Sequence, residues 1–159
     1  LYHKTVFNAL KYAFYPELTH GRIERDVDQG RKRIDIVFTN ADETGFFRRL
    51  QTQHHTLCPW IFVECKNYVH DPTNPEFDQL VGRFHDKRGR FGILVCRGVK
   101  DKVTKLARCG DIVSGGSGVV IVLDDKDVLD LVAARGAESS AKIDEIMSSK
   151  LMEVFFNAR

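Results

Sequence analysis

Residues 60–67 read WIFVECKN, and the two charges inside this apolar run decide how the chain folds. β-Branched, aromatic and apolar residues favour a strand, and Pro59 stands just before it. Side chains at i and i+2 of a strand share a face. Glu64 and Lys66 therefore project together from one face, while Val63 and Cys65 project from the other. Charged residues are almost never fully buried unless paired, so a carboxylate and an ammonium in a core strand require a reason.

Upstream, RKRIDIVFT over residues 31–39 alternates. Ile34, Ile36 and Phe38 point one way and Arg33, Asp35 and Val37 the other. Asp35 thus repeats the problem posed by Glu64. A strand over Arg22 to Val27 and a turn at Asp28-Gln-Gly30 complete a hairpin with it. Before the hairpin, Val6, Leu10 and Phe14 have helical spacing, and Pro16 ends that pattern. Residues 40–58 hold a helical turn or two within GFFRRLQTQHH.

Downstream, the sequence predicts a helix capped by Asn74, with Pro75 in its first turn and Glu76 at its positive end. Phe77, Leu80, Val81 and Phe84 form its apolar stripe, and Gly89 is placed to end it. Phe91 to Cys96 is a continuous apolar strand of the buried type. A short helix follows from Asp101, with Val103, Leu106 and Ala107 on one face. Gly115 to Gly118 is a loop, and Val119 to Leu123 a second buried strand. Helices over 127–135 and about 140–156 close the chain, separated near Gly136. The early strands meander, whereas the later ones alternate with helices and so pair in parallel. The expected fold is α/β, a central mixed sheet with helices on both faces. It forms one domain over residues 1–159, of which 137–159 is a terminal helical extension.

The 159 residues, 43% hydrophobic and 29% charged, suit one soluble globular domain with a sizeable core. No apolar run approaches the roughly 20 residues that cross a bilayer, and no signal peptide is evident. The cytoplasm is the expected compartment. The chain starts at Leu1, so it is expected to belong to a longer protein with further domains. Cys58, Cys65, Cys96 and Cys109 form no CxxC pair, which argues for buried reduced thiols rather than zinc. Net charge is only +2, yet the cations cluster: Arg22, Arg25, Arg31, Lys32 and Arg33 in one region, Arg48 with Arg49, and Lys87, Arg88 and Arg90. Such clusters suit phosphates, and equally a solvated surface.

If the Asp35 strand lies beside the Glu64 strand, two carboxylates converge with a lysine next to them. Two acidic oxygen ligands suit a hard cation such as Mg²⁺, with Mn²⁺ as a substitute. Such a metal polarises a phosphate oxygen and acidifies a bound water. A lysine beside it can hold that water and offset charge on the phosphorane. The plain structural alternative is a buried Glu64–Lys66 salt bridge, with Asp35 paired to an arginine.

RKRIDIVFTN and WIFVECKNY resemble the second and third motifs of the PD-(D/E)XK, or restriction endonuclease-like, nuclease superfamily. The family pattern is an acidic residue, a variable gap, then (D/E)xK on the next strand; here these are Asp35 and Glu64-Cys65-Lys66. The resemblance implies a metal held by Asp35, Glu64 and the backbone carbonyl of Cys65, with Lys66 positioning the attacking water. It implies a divalent-metal-dependent endonuclease acting on nucleic acid, DNA ahead of RNA, in genome defence or DNA processing. A homodimer is compatible with it. The alternative is a non-catalytic nucleic-acid-binding or assembly domain that keeps the fold. Ile34 stands where the family name has proline, and residues 40–58 lengthen the gap. The family often carries a glutamate on its first helix, where residues 2–14 have no acid; Glu17 is the candidate, with Glu24 behind it. Many members also place a glutamine, and a polar residue four positions later, on the helix after the third motif. Gln79 and Arg83 match that spacing and become candidate substrate contacts together with Arg33.

Other motifs carry less. His54, His55, His70 and His85 lack the spacing of a metal site. The glycine loop at 115–118 lacks the ending of a P-loop, and no Gly-x-Ser-x-Gly elbow occurs.

Overall fold

The structure, a computed structural model, describes residues 1–159 apart from the side chain of Asp26. In chain order the elements are α1 (Tyr2–Ala13), β1 (Leu18–Val27), β2 (Lys32–Asn40), α2 (Phe46–Thr52), β3 (Trp60–Lys66), α3 (Asn74–Val81), β4 (Phe91–Cys96), α4 (Lys102–Ser114), β5 (Val119–Leu123), α5 (Asp125–Gly136) and α6 (Ser140–Phe156). The strands form one open sheet in the order β1-β2-β3-β4-β5. β1–β2 and β2–β3 pair antiparallel, as a meander requires. β3–β4 and β4–β5 pair parallel, because α3 and α4 carry the chain back each time. This is the mixed α/β sheet expected from the sequence.

Strand alternation assigns the two faces. Ile34, Ile36, Phe38, Ile61, Val63 and Cys65 lie on one face and are buried. α1 and α2 cover it: Phe7 stacks on Phe38 with centroids 5.8 Å apart, and Phe46 and Phe47 pack edge-on against Phe91. Asp35, Val37, Phe62, Glu64 and Lys66 lie on the opposite face, which α3 covers only in part. Gly92 of β4 allows that cover, since a Cβ there would meet Leu80 of α3 at 2.9 Å. Phe84 stacks on Phe62 at 6.2 Å just beyond the helix.

Several boundaries differ from the sequence expectation. α3 stops at Val81, not near Gly89. Gly82 is its C-cap, Arg83 and Phe84 donate backbone bonds to Leu80 and Val81 in a tight turn, and His85 bridges Gly89. Glycine is a poor helix former, and leaving the helix lets Phe84 reach Phe62. The N-cap is Thr73, not Asn74. Thr73 and Glu76 form a reciprocal capping box, with the Thr73 N–H donating to Glu76 Oε2 at 2.7 Å. α4 turns Cys109, Gly110 and Ile112 inward and packs Leu106 against the core, as expected, but leaves Val103 79% exposed, so its buried face is only partly the one read in the sequence. β1 starts earlier, at Leu18, and a register shift between Thr19 and Arg22 lengthens it. α6 buries Ile143, Met147, Leu151 and Val154 and so belongs to the core. All four cysteines are free and buried, as expected. No helix among the described residues is long and apolar enough to cross a membrane.

Candidate active site

The β2–β3 ladder pairs Val37 with Phe62 and Ile36 with Val63. One step further along the same register puts Asp35 across from Glu64. The Cys65 N–H donates to Asp35 Oδ2 at 2.9 Å, where a main-chain acceptor would otherwise stand. The two acids therefore sit on adjacent strands and on one face. A residue within an antiparallel ladder aims its N–H and C=O at the same neighbour, so the Cys65 carbonyl is directed to the side on which Asp35 lies.

Glu64 is only 1% exposed. Its Oε1 lies 3.2 Å from Lys66 Nζ. Its Oε2 is buried without a hydrogen-bond partner among the described residues. Burial is the main reason its pKa is raised. The negative charge of Asp35 adds to the rise, and Lys66 and Arg83 oppose it. Both conditions disfavour an ionised carboxylate unless a positive charge arrives. Lys66 is held from a second side as well, donating to Gln79 Oε1 at 3.0 Å. The ammonium is therefore tethered between β3 and α3, and its side chain is 13% exposed.

The structure separates the remaining candidates. Gln79 joins the centre through Lys66. Arg83 gives its Nε to the Arg33 carbonyl at 2.8 Å and its Nη1 to the Gln79 carbonyl at 2.7 Å. That makes it a clamp between the end of α3 and β2, with its charge still felt at Glu64. Arg33 lies on the outer hairpin, 3.9 Å from Glu24. Glu24 occupies the β1 position between the partners of Ile36 and Ile34, beside Asp35 in register. It is exposed, with a left-handed backbone at φ 56°. Glu17 is not brought to the centre. Its carbonyl binds the Ala41 N–H just past the opposite end of β2, six residues and roughly 20 Å along the chain from Asp35. Its carboxylate is occupied by Arg135 at 2.9 Å.

His3 is a neighbour that sequence reasoning missed. Its Nε2 lies 4.0 Å from Asp35 Oδ2. The signal was present: His3 precedes Val6 and Phe7 by three and four residues, so it shares the core-facing side of α1.

Among the described residues no three His, Cys, Asp or Glu side chains gather into a ready-made metal cage. What this face could offer a cation is two carboxylates, of Asp35 and Glu64, and the main-chain carbonyl of Cys65. It fits Mg²⁺, which keeps several waters and is commonly bound through one or two carboxylates plus substrate phosphate. The unpartnered Glu64 Oε2 is the atom that such a cation would satisfy.

No family model, no curated protein and no solved structure matches the chain.

Proposed function

We propose that the chain is a divalent-metal-dependent nuclease of the restriction endonuclease-like kind, hydrolysing phosphodiester bonds in DNA. The observation that carries this reading is the buried, unpartnered Oε2 of Glu64, facing the side of the sheet where Asp35 and Lys66 also stand. Asp35, Glu64 and the Cys65 carbonyl would hold Mg²⁺ or Mn²⁺. When bound, the metal supplies Lewis-acid polarisation of a phosphate oxygen and a more acidic water. Lys66 supplies a donor to the attacking water and offsets negative charge that develops at phosphorus. Gln79 fixes the direction of the Lys66 ammonium. Asp35, through the Cys65 N–H, keeps the main chain of β3 in place.

A non-catalytic domain is the second reading, supported by the 3.2 Å Glu64–Lys66 contact. A counter-ion for Glu64 explains that contact, but not why Oε2 is left bare or why Asp35 shares the face. Incubation with plasmid, single-stranded DNA and RNA, each with Mg²⁺, Mn²⁺ or EDTA, separates the two. Metal-dependent cleavage, slowed about a hundredfold or more by Lys66→Ala, is the expected result. Full activity in EDTA, after removal of tightly held metal, overturns the mechanism. No cleavage of any substrate in either metal favours the non-catalytic domain.

A further inference from the structure

Beyond α3 the site-bearing face of the sheet stays open. An open groove of about 610 Å³ lies there, bordered by His20, Arg22, Arg25 and Arg88 around Trp60 and Phe62. Alternation along β3 places Glu64, Phe62 and Trp60 in one row on this face. Their exposure changes along the row: Glu64 and Phe62 are each 1% exposed and Trp60 is 42% exposed. The row continues sideways, because Phe62 pairs with Val37 and Val37 with Arg22. The register shift between Thr19 and Arg22 falls in the strand that supplies the cations, and bulges of this kind re-aim side chains beside functional sites. Arg22 and Arg25 have no carboxylate partner among the described residues. Among the described residues the one acid bordering the groove, Asp28, is already engaged by Arg88 at 3.2 Å and Lys32 at 3.5 Å.

We propose that this groove is a platform for single-stranded DNA, with Trp60 stacking on an unpaired base while Arg22 and Arg25 neutralise the phosphates beside it. The chemistry favours a single strand over a duplex. An exposed indole needs the face of a base, and bases in a duplex present their faces to each other. Base–aromatic stacking combined with a basic groove is how single strands are held without sequence readout. Trp60 lies four residues from Glu64, roughly 13 Å along the strand, so a strand stacked there extends towards the site. The inference rests on the nuclease reading for that continuity, and it names the substrate class: DNA with an unpaired segment next to the cleaved bond.

Trp60 is the only tryptophan in the chain, so its fluorescence reports stacking directly. The chain, in EDTA to prevent turnover, is titrated with a short oligothymidine and with a blunt duplex of equal length. Saturable quenching by the single strand, with much weaker binding of the duplex, is expected. Using labelled oligothymidine and anisotropy, Trp60→Leu should weaken binding about 5- to 150-fold, and Trp60→Phe should recover most of it. Arg22→Ala should reduce the slope of log K against log salt by roughly 0.7. It serves as the second test, because Arg22 is exposed and its removal leaves the core intact. No saturable binding of the oligothymidine, equal affinity for the duplex, or wild-type affinity in both Trp60→Leu and Arg22→Ala overturns the proposal. Failure here with metal-dependent cleavage intact leaves the nuclease reading standing. Binding as described without cleavage refutes the nuclease reading alone.

Discussion

Glu64→Gln should stabilise the apo protein near pH 8 and make it inactive. The glutamine keeps the shape of the side chain and removes the charge. In the wild type that carboxylate is 1% exposed, one oxygen has no partner, and the Asp35 carboxylate shares its face. Leaving a buried neutral group unsatisfied costs about 1–3 kcal/mol, and a charged one more; the amide still leaves a polar atom bare at this position, so the variant relieves only the excess cost of the charge. The variant gives up the attraction between Glu64 and Lys66, but Lys66 keeps Gln79. A net gain of about 1–2 kcal/mol follows, or about 3–6 °C in Tm for a chain of this size.

The sign with pH is fixed by the direction of the Glu64 shift. A raised carboxylate pKa means the folded state holds the proton more tightly than the unfolded state. The wild type therefore has its full stability from this group below the ordinary glutamate value of about 4.3, and loses it as pH rises through the raised folded value. The advantage of the variant should be absent in acid and grow towards pH 8. Metal reverses the order. Binding to the folded state alone adds about 2.7 kcal/mol at a hundredfold excess over Kd, which only the wild type receives in full. Thermal unfolding of both proteins from pH 4 to pH 8, with EDTA and then with Mg²⁺, measures all of this. A variant less stable than the wild type at pH 8 in EDTA would falsify the account of Oε2, because the ion pair with Lys66 would then dominate.

Lys66→Ala should fold and still bind metal while kcat falls about 10²–10³-fold, the usual loss for one group stabilising transition-state charge; circular dichroism with single-turnover cleavage checks it. Gln79→Ala should lower kcat roughly tenfold with KM little changed, since it removes one tether of Lys66 rather than a substrate contact. Arg83→Ala should cost about 1–2 kcal/mol of stability, because its guanidinium serves the carbonyls of Arg33 and Gln79. An unchanged denaturation midpoint would return Arg83 to the substrate-facing role. Asp42→Ala should cost about 2 kcal/mol or more in urea unfolding: its buried carboxylate accepts the N–H groups of Thr44, Gly45, Phe47 and Arg48 at the start of α2.

Strand identity and facing were legible because β periodicity is local. The alternation around Asp35 and the spacing of Glu64 and Lys66 determine which face each side chain takes, and a slip of one residue would have turned Asp35 to the side of Ile34 and Ile36. What each polar side chain touches was not legible, because contacts between elements depend on where those elements stop. Arg83 shows this. On a helix running to Gly89 it would lie on an exposed polar face next to Gln79. Because α3 ends at Val81, Arg83 falls in the turn and reaches across to β2. The cause of the early stop is itself tertiary: Gly82 weakens the helix, and Phe84 gains burial on Phe62 by leaving it. Glu17 and His3 make the same point at the other end of the chain. Proximity in sequence to the end of α1 favoured Glu17, yet it is the start of that helix that meets Asp35, since the pairing of Leu18 with Asn40 ties the end of α1 to the far end of β2. The direction of α1 across the sheet, set by that pairing, decides which of its residues can serve the centre.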